Sequence, residues 1–356
     1  VQDSVRIAVV GCGFWGSKHI RIAHQSPQLE ATLAVDFHQD RLDYIAKQYP
    51  GVPVAQEFET ALESDAEGII IATPISTHYK LAKAALLAGK HVLVEKPLAT
   101  SAAECLELIE LAEKVGKTLM VGHTFEYHPA VEKMREIIQG GGIGDIYYVN
   151  SQRLNLGLYQ RDTNVLWDLA PHDLSIIFRV LETEVETADA WGCRHVLPTT
   201  EDVVYAQLGL TNGATAHVHV SWLDPVKVRT FTVVGSEGML VFDDSQAVEK
   251  VKVFDKRFKP VAVGDNFADF QSAYHNGDTY VPELEQGEPL QLEVLDFANS
   301  IRTGQTPRTN GRVGWRVVEA LERISKAIEN QPKSGGYTHV FSKKDESPAA
   351  QTVSGH

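Results

Sequence analysis

A run of β-branched and small apolar residues, Val5 to Val10, ends on Gly11-Cys12-Gly13-Phe14-Trp15-Gly16 and is followed by a helix-length amphipathic segment. A strand that turns through glycines straight into a helix aims main-chain N–H groups and the helix N-terminus at one point, where a pyrophosphate fits. The Gly-x-Gly-x-x-Gly pattern recurs by chance, so its place between a predicted strand and a predicted helix carries the weight. Gly11, Gly13, Phe14, Trp15 and Gly16 are therefore candidate cofactor contacts. Asp36 stands about twenty residues further on, at the end of the second predicted strand. A carboxylate there accepts hydrogen bonds from the adenosine ribose and repels a 2′-phosphate, so the expected cofactor is NAD. Arg41 reads as a solvated residue of the next helix. The competing reading is a glycine-rich turn in some other α/β domain.

From Val5 to Gly122 short β-rich runs alternate with amphipathic segments, the pattern of βαβ units and a doubly wound parallel sheet. Strands are predicted at Val5–Val10, Glu30–Asp36, Gly68–Ala72, His91–Glu95 and Thr118–Gly122. Helices are predicted at Gly16–His24, Gln39–Gln48, Thr77–Leu87 and Ser101–Val115, with Gly89 and Gly116 placed to end two of them. After Pro129 a helix reaches Gln139, four nearby glycines break it, and a strand follows near Ile146 to Arg153. From Thr187 to Phe254 alternating runs separated by turns such as Asn212-Gly213 predict an antiparallel sheet. Residues 255–289 are polar and weakly periodic, and two helices follow, Gln291–Thr303 and Arg312–Asn330. The division expected is an NAD-binding Rossmann domain over 1–124, a second α/β domain over 125–332 that binds substrate and self-associates, and a flexible tail over 333–356.

Composition narrows the partners. With 47 acidic against 33 basic residues the chain carries a formal charge of −14, which works against binding a polyanion such as nucleic acid. The apolar runs are far shorter than the ~20 residues of a membrane span, and no leader precedes Val5, so a soluble, untargeted protein is expected. Cys12, Cys105 and Cys193 form no CxxC pair, which suggests neither a disulfide framework nor a zinc site and makes the cytoplasm the expected compartment.

Three further segments bear on chemistry. Ala72-Thr73-Pro74 with Thr77-His78, and Glu95-Lys96-Pro97, follow the ends of predicted strands, the edge where doubly wound sheets bind ligands. Thr73, Pro74, His78, Glu95 and Lys96 are candidate cofactor contacts, and Lys96 can also orient a substrate hydroxyl, although a surface lysine before a proline reads equally well. In Asp168-Leu169-Ala170-Pro171-His172-Asp173, Asp168 and His172 are four apart and share a face if the stretch is helical. A carboxylate beside an imidazole holds its tautomer and raises its basicity, and alcohol oxidation needs such a base. The plainer alternative starts a helix at Asp168 and merely packs His172. Asp168/His172, His217/His219 and His123/His128 are possible metal ligands, but hydride transfer to a nicotinamide needs no metal and none is expected.

These four marks, in this order, resemble the glucose-fructose oxidoreductase, inositol dehydrogenase and MocA (Gfo/Idh/MocA) family, and the likeness runs from Val5 to about Asn330. The resemblance implies a Rossmann domain followed by an α/β domain with an open, largely antiparallel sheet that often forms a homo-oligomer interface, giving a dimer or tetramer. It implies a pyridine-nucleotide enzyme acting on a sugar, a cyclitol or a sugar nucleotide. By position Lys96 matches the active-site lysine, His172 the acid/base and Asp168 the carboxylate one turn before it. The loop Arg153 to Asp168 resembles the branch that oxidises carbon 3 of a UDP-N-acetylhexosamine. Arg153 and Arg161 are then candidate diphosphate contacts, and Asn155 and Asn164 candidate contacts to sugar hydroxyls or an N-acetyl group. Thr124 and Phe125 stand where the wider family commonly has an asparagine followed by two arginines, which argues against simple free-hexose and inositol dehydrogenases. A free-sugar, glycoside or cyclitol dehydrogenase remains the alternative, and a non-catalytic NAD-binding sensor a further one.

Overall fold

The computed structural model describes residues 4–157, 159, 163–258 and 274–331. Strands β1 (Val5–Val10), β2 (Leu29–Val35), β3 (Val54–Ala55), β4 (Gly68–Ile71), β5 (His91–Glu95) and β6 (Leu119–Gly122) form a parallel sheet in the order β3-β2-β1-β4-β5-β6. The order reverses between β1 and β4, and the crevice beyond their carboxyl ends is where such sheets bind ligands. Helices α1 (Phe14–Gln25), α2 (Gln39–Gln48), α3 (Phe58–Glu63), α4 (Ile75–Leu87) and α5 (Ala102–Val115) connect the strands. The strands are mostly apolar, with Ile7, Val9, Ile70 and Leu93 buried in the core on one face and Ala8, Val10, Ile69, Ile71 and Val94 in the core on the other. Ser101 caps α5 by accepting from the Glu104 N–H at 3.2 Å, and Gly116 ends it in the left-handed region at φ 66°. Neither β3 nor α3 was expected, being too short to show a period.

A 3-10 turn (Thr124–Tyr127) and α6 (Pro129–Gln139) lead into β7 (Ile146–Leu156), the centre of the second sheet. With β8 (Val185–Cys193), β9 (Val203–Leu210), β10 (Thr215–Ser221), β11 (Leu223–Gly235), β12 (Met239–Asp243), β13 (Val251–Phe258) and β14 (Tyr274–Tyr280) it runs β14-β13-β12-β11-β7-β10-β9-β8. The sheet is mixed: β10 lies parallel to β7, and the other pairs are antiparallel. Strand β14 falls in the segment read as aperiodic; its polar residues are exposed or half-buried at the sheet edge, so no alternation marks it. One face packs on α6, α7 (Val165–Leu181) and the last helix, α9 (Gly311–Glu329). The other leaves Tyr148, Trp191 and Tyr205 exposed.

The expected two-block division needs a correction at α8 (Pro289–Thr303). Its Val294, Phe297 and Ala298 are buried with Ile7, Val9 and Ile20 in the core of the first sheet. A Cβ on Gly68 would meet Phe297 and Ile301 at 2.9 Å, which shows how closely α8 crosses β4. The chain thus returns to its first domain, something an amphipathic period cannot announce because it names a buried face and not its partner. The expected tail, 333–356, lies outside the described residues.

Candidate active site

The glycine turn divides its work among three residues. Gly11 adopts φ +90°, and a Cβ there would stand 2.5 Å from the Ala72 carbonyl oxygen. A Cβ on Gly16 would meet the Gly11 oxygen at 1.7 Å, so only glycine lets α1 sit down on β1. A Cβ on Gly13 would meet nothing nearer than an Arg41 nitrogen at 3.9 Å, so this side of the turn is open for a phosphate. Gly13 also forms the α1 N-cap with no side-chain partner, so the free N–H groups of the first turn face the same space. Asp36, buried just after β2, accepts from the Cys12 N–H of this turn at 2.8 Å, the His38 N–H at 2.9 Å and Arg41 at 3.1 Å. Burial opposes its charge, but the main-chain donors and the guanidinium outweigh it and hold the carboxyl below its ordinary range. Arg41 is exposed, as read, and also pairs with Asp36. These residues fit a dinucleotide: an unobstructed cradle, a helix N-terminus and a fixed carboxylate for the ribose.

A cleft of ≈ 300 Å³ continues from this turn, walled by Phe14, Trp15, Thr73, Pro74, Glu95 and Lys96 on one side and by Trp167 and Asp168 on the other. Phe14 and Trp15 are solvent-facing, with Lys18 Nζ 4.0 and 4.7 Å from their ring centroids. His78 is buried, and its ring nitrogens lie 2.8 Å from the carbonyl oxygens of Thr73 and Pro97, so it ties the two strand-end loops together. Burial pushes its pKa down. Glu95 lines the cleft, contacts the buried His19 at 2.8 Å and precedes the cis Lys96–Pro97 bond.

Helix α7 enters with Asn164 as its cap. The Asn164 Oδ1 accepts from the Trp167 N–H at 3.2 Å, while its Nδ2 donates to Glu201 at 2.8 Å. The helix therefore begins before Asp168, and Pro171 and His172 lie inside it. Lys96 Nζ donates to the Asp168 main-chain oxygen at 2.6 Å and lies 3.4 Å from its carboxylate. The other carboxylate oxygen accepts from the Trp222 indole at 3.0 Å. Asp168 thus holds Lys96, and the expected bond to His172 is absent among the described residues. Shared helical phase brings two side chains onto one face but does not choose between competing partners.

His172 is supported differently. It lies edge-on to Phe125 at 5.2 Å, its Nδ1 is buried without a partner, and its Nε2 bonds to no described residue. Burial, and then the charges of Lys96, Arg153, His123 and Arg229, push its pKa well below the ordinary range, so the ring is neutral near pH 7. Arg153 corrects a second expectation. It is buried, its guanidinium donates to Asp173 at 2.8 and 3.1 Å, and it stacks 4.5 Å from the Phe125 ring. Ser151 also donates to Asp173, at 2.7 Å. The clasp ties α7 to β7, so Arg153 serves the frame of His172 and does not stand free for a diphosphate. Asn164 bonds to its cap partner and to Glu201 and also lines a second, adjoining cleft. Asn155 is half-buried near the end of β7 and lines neither of the two clefts described. Arg161 lies outside the described residues.

Asp173, Trp222, His19 and Phe125 carried no assigned role in the sequence. Asp173 follows His172 directly, which was a usable signal; Trp222, 54 positions from its partner Asp168, offered none. His217 is exposed, His219 stacks on Tyr205 at 4.1 Å, and His128 accepts from the Ala130 N–H at 3.1 Å. No cluster of three or more metal-ligating side chains occurs among the described residues. No helix there is long and apolar enough to cross a membrane.

Comparison with known proteins identifies both domains. Residues 5–123 match the model of an oxidoreductase family with an NAD-binding Rossmann fold, and residues 131–241 match the GFO/IDH/MocA C-terminal domain. UDP-N-acetylglucosamine 3-dehydrogenase of Acidithiobacillus ferrooxidans is 26% identical over 342 residues, 91% of this chain and 97% of that protein. Inositol 2-dehydrogenase 2 of Saccharopolyspora erythraea is 28% identical over 61% of this chain and 66% of its own. The solved structure of the Acidithiobacillus enzyme superposes with a TM-score of 0.77, at 23% identity over 92% of this chain and 99% of that one. Fold and cleft define an NAD(P)-dependent dehydrogenase that acts on CH–OH groups. Its two matched domains place it more closely: the chain belongs to the Gfo/Idh/MocA family of oxidoreductases.

Proposed function

We propose that this protein uses NAD to oxidise a secondary ring hydroxyl of a sugar, with carbon 3 of a UDP-N-acetylhexosamine as the first substrate. The observation that carries the reaction is Lys96 Nζ, fixed by Asp168 at the cleft between the glycine turn and α7. Bound NAD supplies the ring that accepts the hydride. Lys96 orients the hydroxyl and stabilises negative charge as it develops on oxygen. His172, kept neutral by its surroundings, takes the hydroxyl proton on Nε2 while the C–H electron pair leaves as hydride, so a ketone and a protonated imidazole result. Phe125 and the Arg153–Asp173 clasp hold that ring in place.

NAD is preferred over NADP in this reading because the Asp36 carboxylate occupies the ribose position and already engages Arg41. The UDP-sugar assignment draws on a relative whose likeness extends over 91% of this chain. A second reading, a free sugar, glycoside or cyclitol, is favoured by Arg153, whose guanidinium is committed to Asp173. Self-association through the exposed aromatic face of the second sheet, and a cytoplasmic location, complete the proposal. A panel of UDP-sugars, simple sugars and inositol, assayed for NADH and NADPH formation, tests it. Turnover of UDP-N-acetylhexosamine with NAD is expected; turnover of inositol alone moves the assignment to the second reading, and no turnover of any of them sinks both.

A further inference from the structure

A second cleft of ≈ 360 Å³ adjoins the first and shares Ile75, Thr163 and Trp167 with it. Its far wall is Thr199, Thr200 and Glu201, from the connection between β8 and β9. In the reading above the first cleft takes the nicotinamide and the reacting ring, and a group joined to that ring has a path past the shared Thr163 and Trp167 into the second. Trp167 is anchored by donation from its indole nitrogen to Ser325 at 3.1 Å and gives the passage a fixed flat wall. The threonines offer hydroxyls that both donate and accept. Glu201, the carboxylate in this lining, accepts from Asn164 at 2.8 Å and from Arg194 at 2.8 and 2.5 Å. Its charge is therefore balanced. Arg194 is exposed behind the lining residue Glu201 and engages it through Nε and one terminal nitrogen, which leaves the other terminal nitrogen without a partner among the described residues.

We propose that this second cleft is the nucleoside subsite: it receives the base and ribose of a nucleoside-diphospho-sugar, with Arg194 meeting the diphosphate at the rim. A neutral planar base suits a flat aromatic wall with adaptable hydroxyls, ribose hydroxyls suit the threonines, and a planar guanidinium suits phosphate oxygens. This rests on the UDP-sugar reading above, and it supplies the cation that Arg153 does not.

The test uses UDP alone, titrated calorimetrically into the full-length protein saturated with NADH. Wild type is expected to bind UDP; Thr199→Trp, an exposed position whose enlargement fills the cleft, weakens binding at least about tenfold, as does Arg194→Ala, while Thr199→Ser binds as wild type. NADH affinity stays unchanged in all three. Failure of UDP to bind wild type, or undiminished binding by Thr199→Trp and Arg194→Ala, overturns the subsite. Binding that both variants lose, with no UDP-sugar oxidised, keeps the subsite and refutes the reaction proposed. Oxidation of a UDP-sugar that neither variant impairs does the reverse.

Discussion

The Trp222 indole nitrogen donates to one oxygen of the Asp168 carboxylate at 3.0 Å, and the other oxygen lies 3.4 Å from Lys96 Nζ. The aspartate becomes a brace for the lysine. Replacing Trp222 with Phe removes the donor and keeps most of the packing. A hydrogen bond to a charged group contributes about 1.5–3 kcal/mol, so kcat is expected to fall roughly ten- to hundredfold while NADH binding holds. Steady-state rates with a separate NADH titration check it, and a variant with wild-type kcat argues that Lys96 needs no such brace.

His172→Ala is expected to lose about 10²-fold or more in kcat and to bind NADH normally. Because cations and burial push the His172 pKa down, the base form persists below pH 6.5, and the acid limb of kcat/KM is expected below that value in wild type. Lys96→Met removes a neighbouring positive charge and is expected to move the limb of its residual activity upward. A limb that stays put shows that His172 is not the titrating group.

Arg153→Ala leaves the Asp173 carboxylate buried and uncompensated, at an expected cost of about 3–5 kcal/mol in unfolding free energy. Arg153→Lys keeps the charge but not the two-pronged geometry and falls between the two. Denaturant titration reads both. If Arg153 instead contacted a diphosphate, the alanine variant would keep its stability and lose affinity for UDP-sugars only.

Glu126 lies buried in the 3-10 turn after β6, and burial lifts its pKa to about 8 against the nearby charges of Arg179, Arg308 and Arg316. An acid whose folded pKa is raised binds more protons folded than unfolded, so its contribution is full below about 4.5 and is lost as pH rises through 8. Glu126→Gln abolishes that loss. Its stability relative to wild type is expected to increase between pH 6 and pH 9, and a difference independent of pH rules out the neutral buried acid.

Most of the first domain, apart from β3, α3 and α8, and the local grammar of the glycine turn were legible along the chain. Glycines at 11, 13 and 16, Asp36 at the end of β2, and the strand ends carrying Thr73 and Lys96 follow from steric and periodic rules that act within a few tens of residues. The four-residue spacing of Asp168 and His172 was legible only on condition that the stretch is helical, and the start of α7 at its Asn164 cap was not. Only tertiary structure decided which partners those side chains take. Lys96 meets Asp168 across 72 positions, Trp222 meets Asp168 across 54, and α8 returns to the first core from the far end of the chain. Arg153 had solvent, a substrate phosphate and Asp173 open to it in the sequence, and burial of both side chains between β7 and α7 selected Asp173. A residue type fixes what a side chain can bond to, whereas competition among groups brought together by packing settles what it does bond to, and that competition has no period along the chain.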